Sequence, residues 1–264
     1  MVARLARGLA LLLACITPGV AAERVISLAP SLTEMMLDLQ AGDRLVGRLQ
    51  GGPQRVQLPQ VPELGMAGQL DLEQVLLLQP DLVLYWPGSV GPRTLRQLER
   101  SGIEVFHASA TTMQELAQQY AALGARLGLE QAGERIAGDI RQRLEVLEQR
   151  HAGLTPLPLF YQLWDKPMYT LGGRQIVSDA LRYCGARNIF DDLELPAPQV
   201  DIEKVVARQP QLLLVGRATL ADSWPAALRP SVLVVPDEGL VRPSLQMLDA
   251  LEQLCAAIDE LRSN

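Results

Sequence analysis

The sequence predicts an α/β protein of two similar lobes, each a parallel sheet flanked by helices, joined by one long backbone helix. Three observations predict it. The first is an internal repeat: residues 71–84 read DLEQVLLLQPDLVL and residues 201–214 read DIEKVVARQPQLLL, identical at seven of fourteen positions. The second is the alternation of short aliphatic runs, such as Asp81–Tyr85 and Leu212–Val215, with helical patterns. Such strands belong to parallel sheets covered on both faces. The third is a proline-free, charge-rich segment, Gln131–Arg150, lying between the repeats. As a helix it spans roughly 30 Å, enough to run the length of a lobe.

In chain order, Arg4 and Arg7 precede the apolar run Gly8–Ile16, and Val20-Ala21-Ala22 supplies small residues. That is the pattern of a cleaved secretory signal over residues 1–22, with lipid anchoring at Cys15 as the alternative. Residues 23–124 then form the N-terminal lobe, 125–153 the connecting backbone helix and 154–264 the C-terminal lobe. Within each lobe an Asp (Asp71, Asp201) caps a helix, and a Gln-Pro pair (Gln79-Pro80, Gln209-Pro210) ends it and launches a strand. A weaker echo precedes each copy. Thr33–Gln40 and Val177–Cys184 read as helices, and Gly42 and Gly185 suit the left-handed turn closing each.

Composition narrows the partners. Removing Arg4 and Arg7 with residues 1–22, which hold no acid, moves the formal charge from −6 to −8. An acidic chain repels nucleic acid and anionic lipid, so neither is an expected partner, and the protein is expected to be a monomer. Without Cys15, Cys184 and Cys255 remain, either as a disulfide or as two buried thiols. No dinucleotide fingerprint, phosphate loop or nucleophile elbow is present. The two histidines, His107 and His151, are far apart, so no metal site, catalytic residue or cofactor is expected. His151 reads as a solvated helix-end residue.

Ligands of parallel α/β sheets bind beyond the carboxyl ends of the strands. Two of the three tryptophans, Trp86 and Trp164, follow strands directly, and Tyr169 lies close behind Trp164. Their broad faces suit a large, flat, amphipathic ligand. Trp224 reads as packing.

These residues resemble the periplasmic cobalamin-binding proteins of ABC importers, in the class of binding proteins whose lobes are joined by one long helix. The marks are Arg24–Glu34 (RVISLAPSLTE), Leu72-Glu73 with Gln79–Val83, Cys184–Phe190 (CGARNIF) and Pro198-Gln199-Val200, and they cover the chain from Arg24 onward. The first two are shared with siderophore- and haem-binding relatives; the last two, with Cys255, point to the cobalamin branch. The resemblance implies a periplasmic carrier that binds a corrinoid, delivers it to a membrane permease and performs no chemistry. It implies ligand contacts at the loop Glu238-Gly239-Leu240-Val241-Arg242 and at the position of Gly52. These join Trp86 and Trp164, read from their strand ends, and Tyr169, which with Trp164 stands in for missing family aromatics. It implies permease docking through Glu73 and Glu203, one per lobe, and a Cys184–Cys255 disulfide. Gly52, Ala67 and Ala197 stand where the family carries aromatic residues. The rival readings are a ferric-siderophore or haem carrier and a secreted α/β enzyme.

Overall fold

The computed structural model describes residues 21–51, 58–225, 230–235 and 238–263. The signal segment up to residue 20, Cys15 and Gly52 lie outside the described residues, as does the side chain of Glu238.

The N-terminal half contains β1 (Val25–Ser27), α1 (Pro30–Asp38), β2 (Leu45–Arg48), the short strands β3 (Gly65–Met66) and β4 (Gln69–Leu70), α2 (Leu72–Leu77), β5 (Leu82–Tyr85), α3 (Pro92–Arg100) and β6 (Glu104–His107). Two helices follow, α4 (Met113–Arg126) and α5 (Glu130–His151). The C-terminal half contains β7 (Leu157–Gln162), β8 (Trp164–Asp165), β9 (Met168–Tyr169), α6 (Ile176–Tyr183), β10 (Ala186–Asn188), α7 (Ile202–Ala207), β11 (Leu212–Val215), β12 (Ser231–Val234) and α8 (Leu245–Ser263). One sheet has the order β2-β1-β5-β6 and the other β10-β7-β11-β12, all parallel. Both read second, first, third, fourth, so the repeat is a repeat of wiring. The helix between them is therefore not a crossover within one large sheet.

The repeat extends to backbone geometry. Asp71 accepts from the Gln74 amide at 3.1 Å and Asp201 from the Lys204 amide at 2.9 Å, capping α2 and α7 as expected. Each helix then ends through a left-handed glutamine, Gln79 at φ 46° and Gln209 at φ 50°. Side chains rarely adopt that conformation, so its occurrence twice at matching positions reflects a shared turn. Gly185 is left-handed (φ 62°), but Gly42 is not; after α1 that role falls to Gln40 at φ 57°. A Cβ at Gly42 would lie 2.8 Å from the flexible tip of the Leu37 side chain, which can turn aside, so neither φ nor space demands a glycine there.

The apolar core is continuous between the halves. One cluster joins Val25, Leu82 and Tyr120 to Ile140, Leu144, Leu212 and Leu254, and a smaller cluster covers the other face of each sheet. Burying each such aliphatic side chain contributes about 1.5–3 kcal/mol. α5 packs against α4, α6 and α8, so it is embedded among helices of both halves. Arg143 on α5 grips Asp249 and Glu252 of α8, each at 2.7 Å. Cys184 and Cys255 form a disulfide that ties the end of α6 to α8. Beside it His151 is buried, contrary to the solvated position expected. Its Nδ1 lies 2.8 Å from the Leu147 carbonyl and its Nε2 3.0 Å from Asp259. α8 covers the end of α5, which the helical pattern of α5 alone does not reveal.

The halves also cap one another. Asp38 of α1 accepts from the Leu245 amide at the start of α8 (3.3 Å), and the Tyr120 hydroxyl accepts from the same amide at 2.9 Å while donating to Asp38. Burial first, and Asp38 next, hold the Tyr120 phenol well above its ordinary pKa. In the opposite direction Asp179 of α6 accepts from the Met113 amide at the start of α4, at 2.9 Å.

Candidate functional site

A sheet ordered second, first, third, fourth reverses direction between its first and third strands, and the crevice above that point is where such sheets take ligands. In the N-terminal half those strands are β1 and β5. β1 runs into Ala29-Pro30-Ser31, and β5 runs into Trp86. All four residues border one cleft of about 430 Å³, within the range of roughly 300–1,000 Å³ usual for small-molecule sites. The facing wall comes from the start of α6 (Gln175, Ile176, Val177) with Leu171, and from Val241-Arg242-Pro243. Gly51 completes it.

Buried hydroxyls hold both walls. The Ser27 hydroxyl donates to the Ala29 carbonyl at 2.9 Å and accepts from Thr33 at 2.9 Å, fixing the turn into α1. Opposite, the Ser178 hydroxyl donates to the Gly172 carbonyl at 2.8 Å. The Asn188 amide donates to Ser178 at 2.9 Å and to the Leu171 carbonyl at 2.8 Å. Gly172 and Gly173 allow this path. A Cβ would fall 2.1 Å from the Leu195 carbonyl oxygen at the first and 1.9 Å from that of Asp191 at the second. Buried, satisfied networks of this kind make a wall rigid.

The sequence-predicted ligand residues divide into groups. Trp86, Val241 and Arg242 border the cleft. Leu240 is buried in the core, and Gly239 accepts from the Arg242 amide at 2.8 Å in the turn beneath. Trp164 and Tyr169 do not border this cleft; they pair across the β8–β9 hairpin. Trp164 is 51% exposed, with the Arg217 guanidinium 5.6 Å from its ring centre. Because Trp164 follows β7 and Arg217 follows β11, that stack stands over the reversal point of the second sheet. Trp224 packs inside on Phe160, its indole N–H donating to Gln162 at 2.7 Å. His107 ends β6, edge-on to Tyr85.

Sequence reasoning missed Leu171, Gln175, Ile176 and Val177. The echo between Thr33–Gln40 and Val177–Cys184 was the available signal: the N-terminus of α6 is the counterpart of that of α1.

Glu73 and Glu203 occupy the first turns of α2 and α7, exposed beside equivalent caps. Next to Glu73, Leu76 and Leu77 are exposed as well. Among the described residues no group of three His, Cys, Asp or Glu side chains could hold a metal ion, and no helix is long and apolar enough to cross a membrane.

The profile of the periplasmic binding protein family matches residues 25–224. The vitamin B12-binding protein of Vibrio cholerae serotype O1 is 34% identical over 89% of this chain and 88% of its own length. The crystal structure of the periplasmic vitamin B12 binding protein of Vibrio cholerae superposes with a TM-score of 0.82 at 32% identity, covering 92% of this chain and 99% of that one. A periplasmic haem-binding protein from Pseudomonas aeruginosa superposes with a TM-score of 0.76 at 25% identity, covering 89% and 92%. With wiring, cleft and sequence in agreement, the chain belongs to the periplasmic binding protein family.

Proposed function

We propose that this protein captures cobalamin in the periplasm and presents it to the membrane permease of an ABC importer. The lobes are taken as residues 23–124 and 154–264, with α5 inside the connector 125–153. The observation that carries the reading is the cleft, with Trp86 on one wall and the α6 start on the other, in a chain 34% identical to a vitamin B12-binding protein. An indole on a rigid turn gives a flat apolar contact, and the Ser89 hydroxyl bonded to the Trp86 carbonyl at 2.8 Å holds that turn. Glu73 and Glu203 are the docking carboxylates in this reading, and the carrier acts as a monomer without a chemical step or cofactor.

Equilibrium binding to the purified mature protein, followed by tryptophan quenching, tests it. Saturable quenching by cobalamin is expected. Strong quenching by haem or a ferric siderophore, with none by cobalamin, overturns it.

A further inference from the structure

We infer that the cleft contains an oxyanion subsite, built from Ser31, the facing N-termini of α1 and α6, and Arg242, which receives a phosphate group of the ligand. The inference rests on the corrinoid reading and deepens it. A cobalamin carries one such group, the phosphodiester of its nucleotide loop.

Both helices begin at the cleft without a side-chain cap: Ala29 and Gln175 occupy the cap positions and neither side chain accepts from a first-turn amide. The first amides of α6 have no partner within the helix. In α1 Pro30 has no N–H and the Leu32 amide donates to the Ala29 carbonyl at 3.1 Å, so that helix offers the Ser31 amide. The summed peptide dipoles put positive potential at both ends. An anion is the usual occupant of such a place. The first turn of α1 holds no acid. That of α6 holds Asp179, whose carboxylate is engaged by the Met113 amide. Glu34, one turn further along α1, acts on the buried Tyr120.

Ser31 supplies the independent observation. It borders the cleft at 7% exposure, yet among the described residues its hydroxyl has no hydrogen-bond partner. The other buried hydroxyls nearby, Ser27, Thr33 and Ser178, are all bonded. The Ser31 side chain is thus largely buried while its hydroxyl remains open to the cleft, where it can donate to a ligand. Arg242, on the opposite wall, adds a permanent positive charge. In a chain of net charge −6, this local concentration of donors is what would let an anionic group enter.

Calorimetric titration of the mature protein with cobinamide, cobinamide phosphate and cobalamin tests the subsite. The first two share the corrin ring and differ by the phosphate. Cobinamide phosphate is expected to bind about 10- to 100-fold more tightly than cobinamide, the range of one or two charge-assisted hydrogen bonds. That ratio should shrink several-fold in Ser31→Ala and approach one in Arg242→Gln. Equal affinity for the two by the unaltered protein overturns the subsite and leaves the corrinoid reading standing. Failure of all three to bind overturns both.

Discussion

The Asp179 carboxylate of α6 accepts the backbone N–H of Met113, at the start of α4, over 2.9 Å. Its reciprocal is Asp38 of α1, which accepts from Leu245 at the start of α8. Each half thus supplies the carboxylate that completes a helix start in or against the other. Such bonds are charge-assisted and directional, so sliding one half over the other breaks them. Lobe motion on ligand capture should accordingly be a small hinge displacement.

Asp179→Ala should lower stability by about 1–2 kcal/mol, the range for losing a helix-start acceptor. Asp38→Ala should cost at least as much, because the Tyr120 hydroxyl loses its acceptor too. Urea denaturation of the two single variants and the double variant measures this. Near-additive losses mean independent clamps; a shortfall of more than ~0.5 kcal/mol means one coupled network.

The disulfide closes a loop of 71 residues between α6 and α8. Constraining a loop of that length in the unfolded chain contributes about 4 kcal/mol in the chain-entropy model. Cys184→Ser/Cys255→Ser should therefore unfold at markedly lower urea concentration. Both sulfurs sit far along their helices from the cleft-lining start of α6, so cobalamin affinity of the folded variant should hold within about twofold. Paired denaturation and binding curves check both parts.

Burial pushes the Tyr161 phenol from 10.0 to about 12 and holds that of Tyr120 well above its ordinary value. An acid whose folded pKa lies above its unfolded value gives stability that is complete below the unfolded pKa. That stability is lost as pH rises through the folded one. The protein should hold its stability up to about pH 10 and lose roughly 2–3 kcal/mol from Tyr161 alone by pH 12, since each pKa unit is worth about 1.4 kcal/mol. Tyr161→Phe should flatten that limb of the pH–stability curve. An unchanged slope, measured by denaturation across the alkaline range, would remove Tyr161 as the cause.

Local rules made much of this legible. The Asp caps and Gln-Pro ends of α2 and α7 gave the repeat, and the repeat gave two sheets. Trp86 was legible because a strand end is a sequence-local feature. Gln175, Ile176 and Val177 were not, since they reach the cleft only after the β8–β9 hairpin carries the chain across the lobe. Burial of His151 likewise depends on α8, more than a hundred residues away, and no local period encodes that contact.

Trp86 and Trp164, alike in sequence context, should separate in function. Trp86→Ala removes an apolar wall of the cleft and should weaken cobalamin binding about 10- to 100-fold, as for a buried aromatic contact. Trp164→Ala removes a half-exposed ring under Arg217 and should cost less than about fivefold. Equal losses in calorimetry would mean that the ligand spans both sheet-reversal points and contacts the second stack directly.

Docking should depend on Glu73 and Glu203 jointly. Each is an exposed carboxylate in the first turn of an equivalent helix, held in orientation by an Asp cap, so a two-fold partner meets the same feature twice. Single exposed ion pairs contribute about 1 kcal/mol or less, so one substitution should weaken permease binding only a few-fold. Loss of both removes the bivalent advantage, and uptake should fall by at least about tenfold while cobalamin affinity is unchanged. Leu76 and Leu77, exposed beside Glu73 but matched by the smaller Val206 and Ala207 beside Glu203, make the two contacts unequal. Glu73→Ala should therefore be the more damaging single change. Reconstituted transport compared with soluble ligand binding separates docking from capture, and unimpaired uptake by the double variant would reduce both carboxylates to surface charge.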